Sequence, residues 1–259
     1  MDPDIQLKRH SVAASRKRGK TGDLTGNRLL DALPADDRRA LVAVASPFSA
    51  AQGKVVYRQR GEVPFVYFPI SAMYSLVLNL ESGEKAEVAT VGNEGFVGLP
   101  VFFRLGRSPY EAMLQVVGET LQVRAKAFSR LLGSSQALAE LVSRFAVYSF
   151  HCANQLVACN AFHALEARAC RWLLLTQDRA GSDRFELTQE FLAEMLGVTR
   201  QSVTIVAGTL QRAGMIGYRR GEITVIDRAA LEEAACECYG EIQRFYRDTV
   251  RIKTDESAA

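Results

Sequence analysis

Leu187-Thr188-Gln189-Glu190-Phe191-Leu192-Ala193-Glu194-Met195-Leu196-Gly197-Val198-Thr199-Arg200-Gln201-Ser202-Val203-Thr204 reads as two short helices joined by a glycine turn. Thr188 is a favourable N-cap, because its hydroxyl accepts from an N–H that the first helical turn leaves unpaired. Phe191, Leu192 and Met195 then form an apolar face at helical spacing. Gly197 tolerates the positive φ needed to end that helix and turn. Thr199 caps a second helix, from whose first turns Arg200, Gln201, Ser202 and Thr204 project; Val203, Val206 and Leu210 keep its inner face apolar. Arginine suits guanine, glutamine suits adenine, and hydroxyls suit base edges or phosphate, so this second helix is expected to enter a DNA major groove. An ordinary helical hairpin with a polar outer face would share these features, but the next segment argues against it. Gly214-Met215-Ile216 ends the second helix, and Tyr218-Arg219-Arg220-Gly221-Glu222-Ile223-Thr224-Val225 predicts two short strands around a tight Arg-Gly turn. A basic hairpin in that place is a wing, with Arg219 and Arg220 on phosphate.

Caps, turn glycine, helix and wing follow one another without insertion from Leu187 to Asp227. In this the segment resembles the DNA-binding domain of the CRP/FNR superfamily of bacterial transcription regulators, including the threonine twelve positions ahead of the first recognition-helix arginine. The resemblance implies that Thr188 and the adjoining helix start, with Gln189, contact the DNA backbone and that Arg200 and Gln201 contact bases. The expected DNA-contacting set is completed by Thr199, Ser202, Thr204, Arg219 and Arg220. Double-stranded DNA is the implied partner, and RNA polymerase is a further candidate. The chain departs from the best-known members at Ile205, where they place a second base-reading arginine. Its operator is therefore expected to differ from theirs.

Outside this segment, bulk properties set limits. The chain has 259 residues, long enough for one large or two small domains, with 48% hydrophobic and 24% charged residues, ordinary values for a globular protein. No apolar run approaches the ~20 residues of a membrane span, and the N-terminus lacks a signal-peptide core. The five cysteines all lie at or beyond Cys152, which does not suit a secreted disulfide framework, so a cytoplasmic location is expected. Residues 1–20 hold six Lys/Arg against two Asp, a local +4 that leaves −1 for the remainder of a chain whose net charge is +3. That end reads as a basic, solvated tail, residues 1–27, with added phosphate contacts as the alternative. The proposed DNA module balances four arginines against four acids, so its nonspecific DNA affinity should be modest.

Arg28 to Ser46 is helical in character, with a new segment starting at Pro34. From Gly53 to about Lys126 short β-prone runs alternate with turns: Lys54–Arg58, Phe65–Phe68, Met73–Leu80, Ala86–Val91, Tyr110–Val117 and Thr120–Val123. Their number and spacing predict a sandwich or barrel. The Gly61-Glu62 and Gly83 turns resemble those of the cyclic-nucleotide-binding β-roll of the same superfamily. Nucleotide-binding members use a glutamate for the ribose and an arginine for the cyclic phosphate. Phe96 and Tyr110 occupy those places here, so neither cyclic AMP nor cyclic GMP is the expected effector. Phe96, Val97, Gly98 and Tyr110 mark the candidate effector pocket, with Arg104 and Arg107 near enough in sequence to admit another anion. The glycines of Gly92-Asn93-Glu94-Gly95-Phe96-Val97-Gly98 read as turn residues rather than a phosphate cradle.

No cofactor and no metal is expected. An iron–sulfur sensor of this kind needs N-terminal cysteines, a haem sensor needs a roll histidine or cysteine, and both are missing. His151 and His163 look isolated, and Cys236-Glu237-Cys238 is a spacing too short for a zinc site. From about Ser135 to Asp178 the chain is helical in character and lacks proline and glycine, and two stripes recur every seven residues: Leu138, Phe145, Cys152, Cys159, and Leu141, Tyr148, Gln155, Phe162. Such stripes suit a coiled-coil seam, and the resemblance implies a parallel dimerisation helix in which Leu138, Leu141, Phe145, Tyr148, Cys152, Gln155 and Cys159 meet a second copy. Cys152 and Cys159 read as small packing residues, with redox response as the alternative. Trp172 and the leucines after it should anchor the next domain.

The expected architecture is thus α+β: a β-roll over 28–134, a dimerisation helix over 135–163, and a winged helix-turn-helix with a C-terminal helix over 164–259. The expected function is a homodimeric transcription regulator on an inverted repeat. The alternative is a cyclic-nucleotide or small-ligand sensor module acting mainly through protein partners. No nucleophile–base constellation or Walker loop suggests an enzyme.

Overall fold

Turn residues cut the β-prone region into the strands β1 (Ala45–Phe48), β2 (Val55–Tyr57), β3 (Phe65–Pro69), β4 (Met73–Asn79), β5 (Lys85–Val91), β6 (Glu111–Val116) and β7 (Thr120–Arg124). In the computed structural model, which describes residues 24–250, they form two antiparallel sheets, ordered β1-β7-β3 and β2-β6-β4-β5. Alternation along β4 shows how the layers are built. Tyr74 and Leu76 join the core between the sheets, whereas Met73 and Val77 join the core of the C-terminal domain. A strand buried on both faces reads as nearly continuous apolar sequence, as β4 does.

The N-terminal helical stretch divides into α1 (Arg28–Asp31) and α2 (Ala35–Ala43), with Pro34 as the α2 N-cap. Its last two residues, Ala45 and Ser46, belong to β1 rather than to a helix, because pairing with β7 overrides their weak local preference. Residues 1–23 of the expected tail lie outside the described residues. Asn27, assigned to that tail, is instead fully buried: its Nδ2 donates to Pro69 O (2.7 Å) and Gly95 O (2.8 Å), and its Oδ1 caps α1.

Three further helices, α3 (Leu99–Phe102), α4 (Ala125–Ser134) and α5 (Gln136–Phe162), complete this half, and α6 (Leu165–Ala180) starts after a break at His163-Ala164. The C-terminal half continues with β8 (Arg184–Glu186), α7 (Gln189–Leu196), α8 (Arg200–Arg212), β9 (Ile216–Arg219), β10 (Glu222–Val225), α9 (Arg228–Ala234) and α10 (Cys238–Thr249). Strand β8 widens the expected hairpin to a three-stranded sheet, ordered β8-β10-β9. Trp172, Leu173 and Leu174 are buried in the core of this half. Helix α10 folds back along α5, where Tyr246 packs edge-on against Tyr148 (centroids 5.1 Å apart) and donates its hydroxyl to Glu94 O (3.0 Å). Among the described residues no helix is long and apolar enough to cross a membrane.

Candidate functional site

The two threonines act as the caps that the sequence requires. Thr188 Oγ1 accepts from Phe191 N and Thr199 Oγ1 from Ser202 N, each at 3.2 Å, and Gly197 adopts φ 64° between the two helices. Val203, Val206 and Leu210 are buried, which turns Arg200, Gln201, Thr204 and Ile205 outward on α8. Thr199 and Ser202 are tied to each other by a 3.0 Å hydroxyl contact, which leaves Arg200 and Gln201 as the freer members of the expected base-reading set. Thr204 lies 2.8 Å from Gln189 Oε1, across the helix-turn-helix. Arg200 has only a loose ion pair with Glu190 (3.9 Å), both side chains being exposed, and such pairs contribute little. Ile205 is 61% exposed on the same outward face.

At the wing, Arg220 (φ 53°) and Gly221 (φ 81°) both adopt the left-handed conformation, the requirement of a type I′ hairpin turn. Arg219 and Arg220 are exposed. A Cβ placed on Gly221 would lie 3.8 Å from Thr188 Cγ2, so the wing tip borders the α7 cap. Thr188 and the wing arginines thereby share one surface, and the Arg200–Glu190 and Thr204–Gln189 contacts bring the start of α8 beside the α7 cap.

The expected effector pocket is filled by the chain's own side chains. Phe96 is 1% exposed and packs against Phe68 (5.5 Å), Phe128 (5.4 Å) and Phe145 (5.4 Å between centroids). Gly95 is needed for this approach, since a Cβ there would stand 2.1 Å from the Phe145 ring. Val97 exchanges two backbone hydrogen bonds with Tyr67, both 2.8 Å, and Gly98 leads into α3. Tyr110 lies 6.3 Å from Tyr57 between ring centroids, and burial pushes its hydroxyl up to about 12. The space left beside Phe96, Gly98 and Tyr110 measures about 20 Å³. That is about one water's worth of room.

The loop's carboxylate is committed inward. Glu94 Oε1 pairs with Arg179 Nε of α6 at 2.8 Å, the side chains being 4% and 5% exposed. Arg179 also donates to Tyr148 Oη (3.2 Å) and contacts Thr90. Burial works against the guanidinium's charge, but Glu94 more than restores it, so Arg179 stays protonated. A second polar link crosses the same junction: Trp172 Nε1 donates to Glu87 (3.1 Å), which also accepts from Ser75 Oγ (2.7 Å). Burial raises the Glu87 carboxyl to about 7, against the opposing pull of these two donors.

The expected dimer stripe points the wrong way for a seam. Leu138, Leu141, Phe145, Tyr148 and Cys159 are buried within their own chain, Phe145 at 1% exposure. Cys152 packs against the same core, where burial pushes its thiol up to about 11, and Gln155 donates to Cys238 Sγ (3.1 Å). A helix packed on a domain core buries one face of its period and leaves the opposite face outward. The outward stripe is Val147, Phe150, Asn154, Val157 and Ala161, at alternating three- and four-residue steps. Its large members are exposed to 54% (Val147), 69% (Phe150) and 71% (Val157).

A further cluster escapes sequence reading altogether. Cys159 and His163 at the end of α5 meet Cys236 of the α9–α10 connection and Cys238 at the start of α10. The one available signal was the four-residue step from Cys159 to His163, which places both on one helix face.

Residues 47–135 match the cyclic nucleotide-binding domain family and residues 167–234 the Crp-like helix-turn-helix domain family, together more than half of the chain. The chain belongs to the CRP/FNR superfamily of transcription regulators. Its fold is similar to that of FixK2 from Bradyrhizobium japonicum, at 18% identity over 74% of this chain and 98% of that one, with a TM-score of 0.63. It is also similar to a CRP-family transcriptional regulator from Thermus thermophilus, TTHB099, at 20% identity over 73% of this chain and 96% of that one, with a TM-score of 0.61. The c-di-GMP-responsive global regulator CLP of Xanthomonas campestris shares the fold at 15% identity over 74% of this chain and 99% of that one, with a TM-score of 0.54. No curated protein matches the chain.

Proposed function

We propose that the protein is a cytoplasmic homodimer that binds inverted-repeat operators in double-stranded DNA, and that its roll is not a cyclic-nucleotide receptor. The observation that supports this most is the shared surface of Thr188, Arg200, Gln201, Arg219 and Arg220. A two-fold dimer sets two recognition helices about one DNA turn apart, which calls for a palindromic site. Sequencing of genomic fragments retained by the purified protein, followed by footprinting, tests the reading. Enrichment of no inverted repeat would count against it. The charge-balanced DNA module leaves room for the sensor reading, in which protein partners dominate; flat salt dependence of DNA binding would favour that alternative.

Arg200→Ala is expected to weaken operator binding by about 1–3 kcal/mol and relax preference at one symmetric base position. Arg219→Ala and Arg220→Ala should weaken all sequences alike, because a wing reads phosphate. Footprints of equal strength for wild type and Arg200→Ala would remove Arg200 from the base-reading set.

Cyclic AMP and cyclic GMP are expected neither to bind the roll nor to change DNA affinity. A ligand site of this type needs ~300 Å³ or more, against about 20 Å³ beside Phe96. The missing charge-assisted pair and the desolvation of an orphaned phosphate together amount to roughly two to four decades of affinity. Calorimetry with each nucleotide decides the point, and micromolar binding would overturn it.

A further inference from the structure

We propose that Cys159, His163, Cys236 and Cys238 together bind one Zn²⁺ ion at the joint between the long helix and the DNA-binding domain. Their ligand atoms all lie within 4.8 Å of one another, with Cys159 Sγ 3.5 Å from Cys236 Sγ and Cys238 Sγ 3.4 Å from His163 Nδ1. A tetrahedron with Zn–S arms of ~2.3 Å has edges of about 3.8 Å, so the four atoms surround a zinc position after sub-ångström adjustment. Three thiols and one imidazole form a donor set that zinc prefers over the oxygen-seeking divalent ions.

The surroundings fit a metal better than they fit four packing residues. His163 presents Nδ1 to the cluster while its Nε2 meets Glu237 Oε1 at 3.1 Å. That is the carboxylate–histidine arrangement that fixes a ligand imidazole's tautomer and strengthens it as a donor. Gln155 Nε2 donates to Cys238 Sγ (3.1 Å), a contact that favours thiolate. The three sulfurs are buried, and Ala167 is the partly buried apolar residue packed against them, so they are shielded from water without a large apolar setting to explain them. Three thiolates, one neutral imidazole and Zn²⁺ sum to a single negative charge, and the nearby guanidiniums of Arg168 and Arg171 offset it.

With four protein donors the site is closed, so the ion is structural rather than catalytic. It ties the last turn of α5 to the connection before α10, across the His163-Ala164 break where the two halves of the chain join. Binding displaces the three thiol protons, which makes zinc affinity fall as pH falls.

The test uses the full-length protein, reduced, dialysed against micromolar zinc and then against buffer. One zinc per chain by elemental analysis, and thiolate-to-metal charge-transfer bands of tetrahedral character when Co²⁺ replaces zinc, are expected. Cys236→Ser and His163→Ala should lose the metal, while Cys170→Ser, which removes a buried thiol elsewhere, should keep it. Glu237→Gln leaves the four ligands in place and is expected to lower zinc affinity about 10-fold or more. Because a ligand variant can fail to fold, the Co²⁺ spectrum of the wild type stands as an independent readout. Absence of metal in the reduced wild type, iron with labile sulfide instead of zinc, or zinc retained after all four ligands are replaced would overturn the proposal. So would a metal-free protein whose Cys159 and Cys236 are found joined as a disulfide.

Discussion

Arg179→Ala is expected to destabilise the protein by about 3–5 kcal/mol, the range for removing one partner of a buried ion pair. Arg179 and Glu94 are 5% and 4% exposed and 2.8 Å apart, so water screens them little. The alanine would leave the Glu94 carboxylate facing Tyr148 and the aromatic core with only Gly92 N (2.9 Å) as a donor. It would also open a gap on α6 against Gly92, whose backbone packs on the Arg179 stem. Arg179→Met combined with Glu94→Gln keeps the volume and removes both charges, so it should recover most of the loss. Denaturant titrations of the single and double variants measure this. If Arg179→Ala stays within about 1 kcal/mol of wild type, the pair contributes far less than buried pairs usually do.

The same pair shows what the sequence could and could not convey. The helix-turn-helix was legible because it rests on local chemistry: Thr188 and Thr199 cap, Gly197 turns, and Arg220-Gly221 closes the wing, each within a few residues. The roll was legible for the same reason, since its turns and β-prone runs are local signals. Phe96 and Tyr110 stood out only against a family pattern, and the structure adds that Phe96 is packed among three other aromatic rings. Glu94 carries no local signal of its role, because its partner is on α6, more than eighty residues away. The cysteine cluster is similar. Cys236 and Cys238 look too close together for a site until the fold brings Cys159 and His163 to them. The dimer stripe failed differently. Its heptad period is real, but periodicity fixes which residues share a face and not what that face meets.

That ambiguity yields the second large expectation. Phe150→Glu should convert the protein to monomers and abolish high-affinity binding to an inverted repeat, with the fold intact. Phe150 lies mid-stripe on α5, flanked by Val147, Asn154 and Val157 at steps of three and four residues, and it is 69% exposed in the single chain. Across a two-fold axis each of these residues lies near its own image. Burying one phenylalanine contributes about 1.5–3 kcal/mol, and a dimer buries two. The substitution also sets two carboxylates near the axis, so the dimer dissociation constant should rise by roughly two to four decades or more. Asn154, a polar residue in an otherwise apolar seam, is the type of position that fixes parallel register at some cost in stability. Phe145→Glu serves as the contrast. Its ring contacts Phe96 and the backbone of Gly95 inside the chain. A charge there has no partner, so this variant should unfold or aggregate rather than yield a folded monomer. Sedimentation and far-ultraviolet circular dichroism on both variants separate the two outcomes. A folded Phe145→Glu monomer, or a Phe150→Glu dimer with normal operator affinity, would return the seam to the inward stripe or move it off α5.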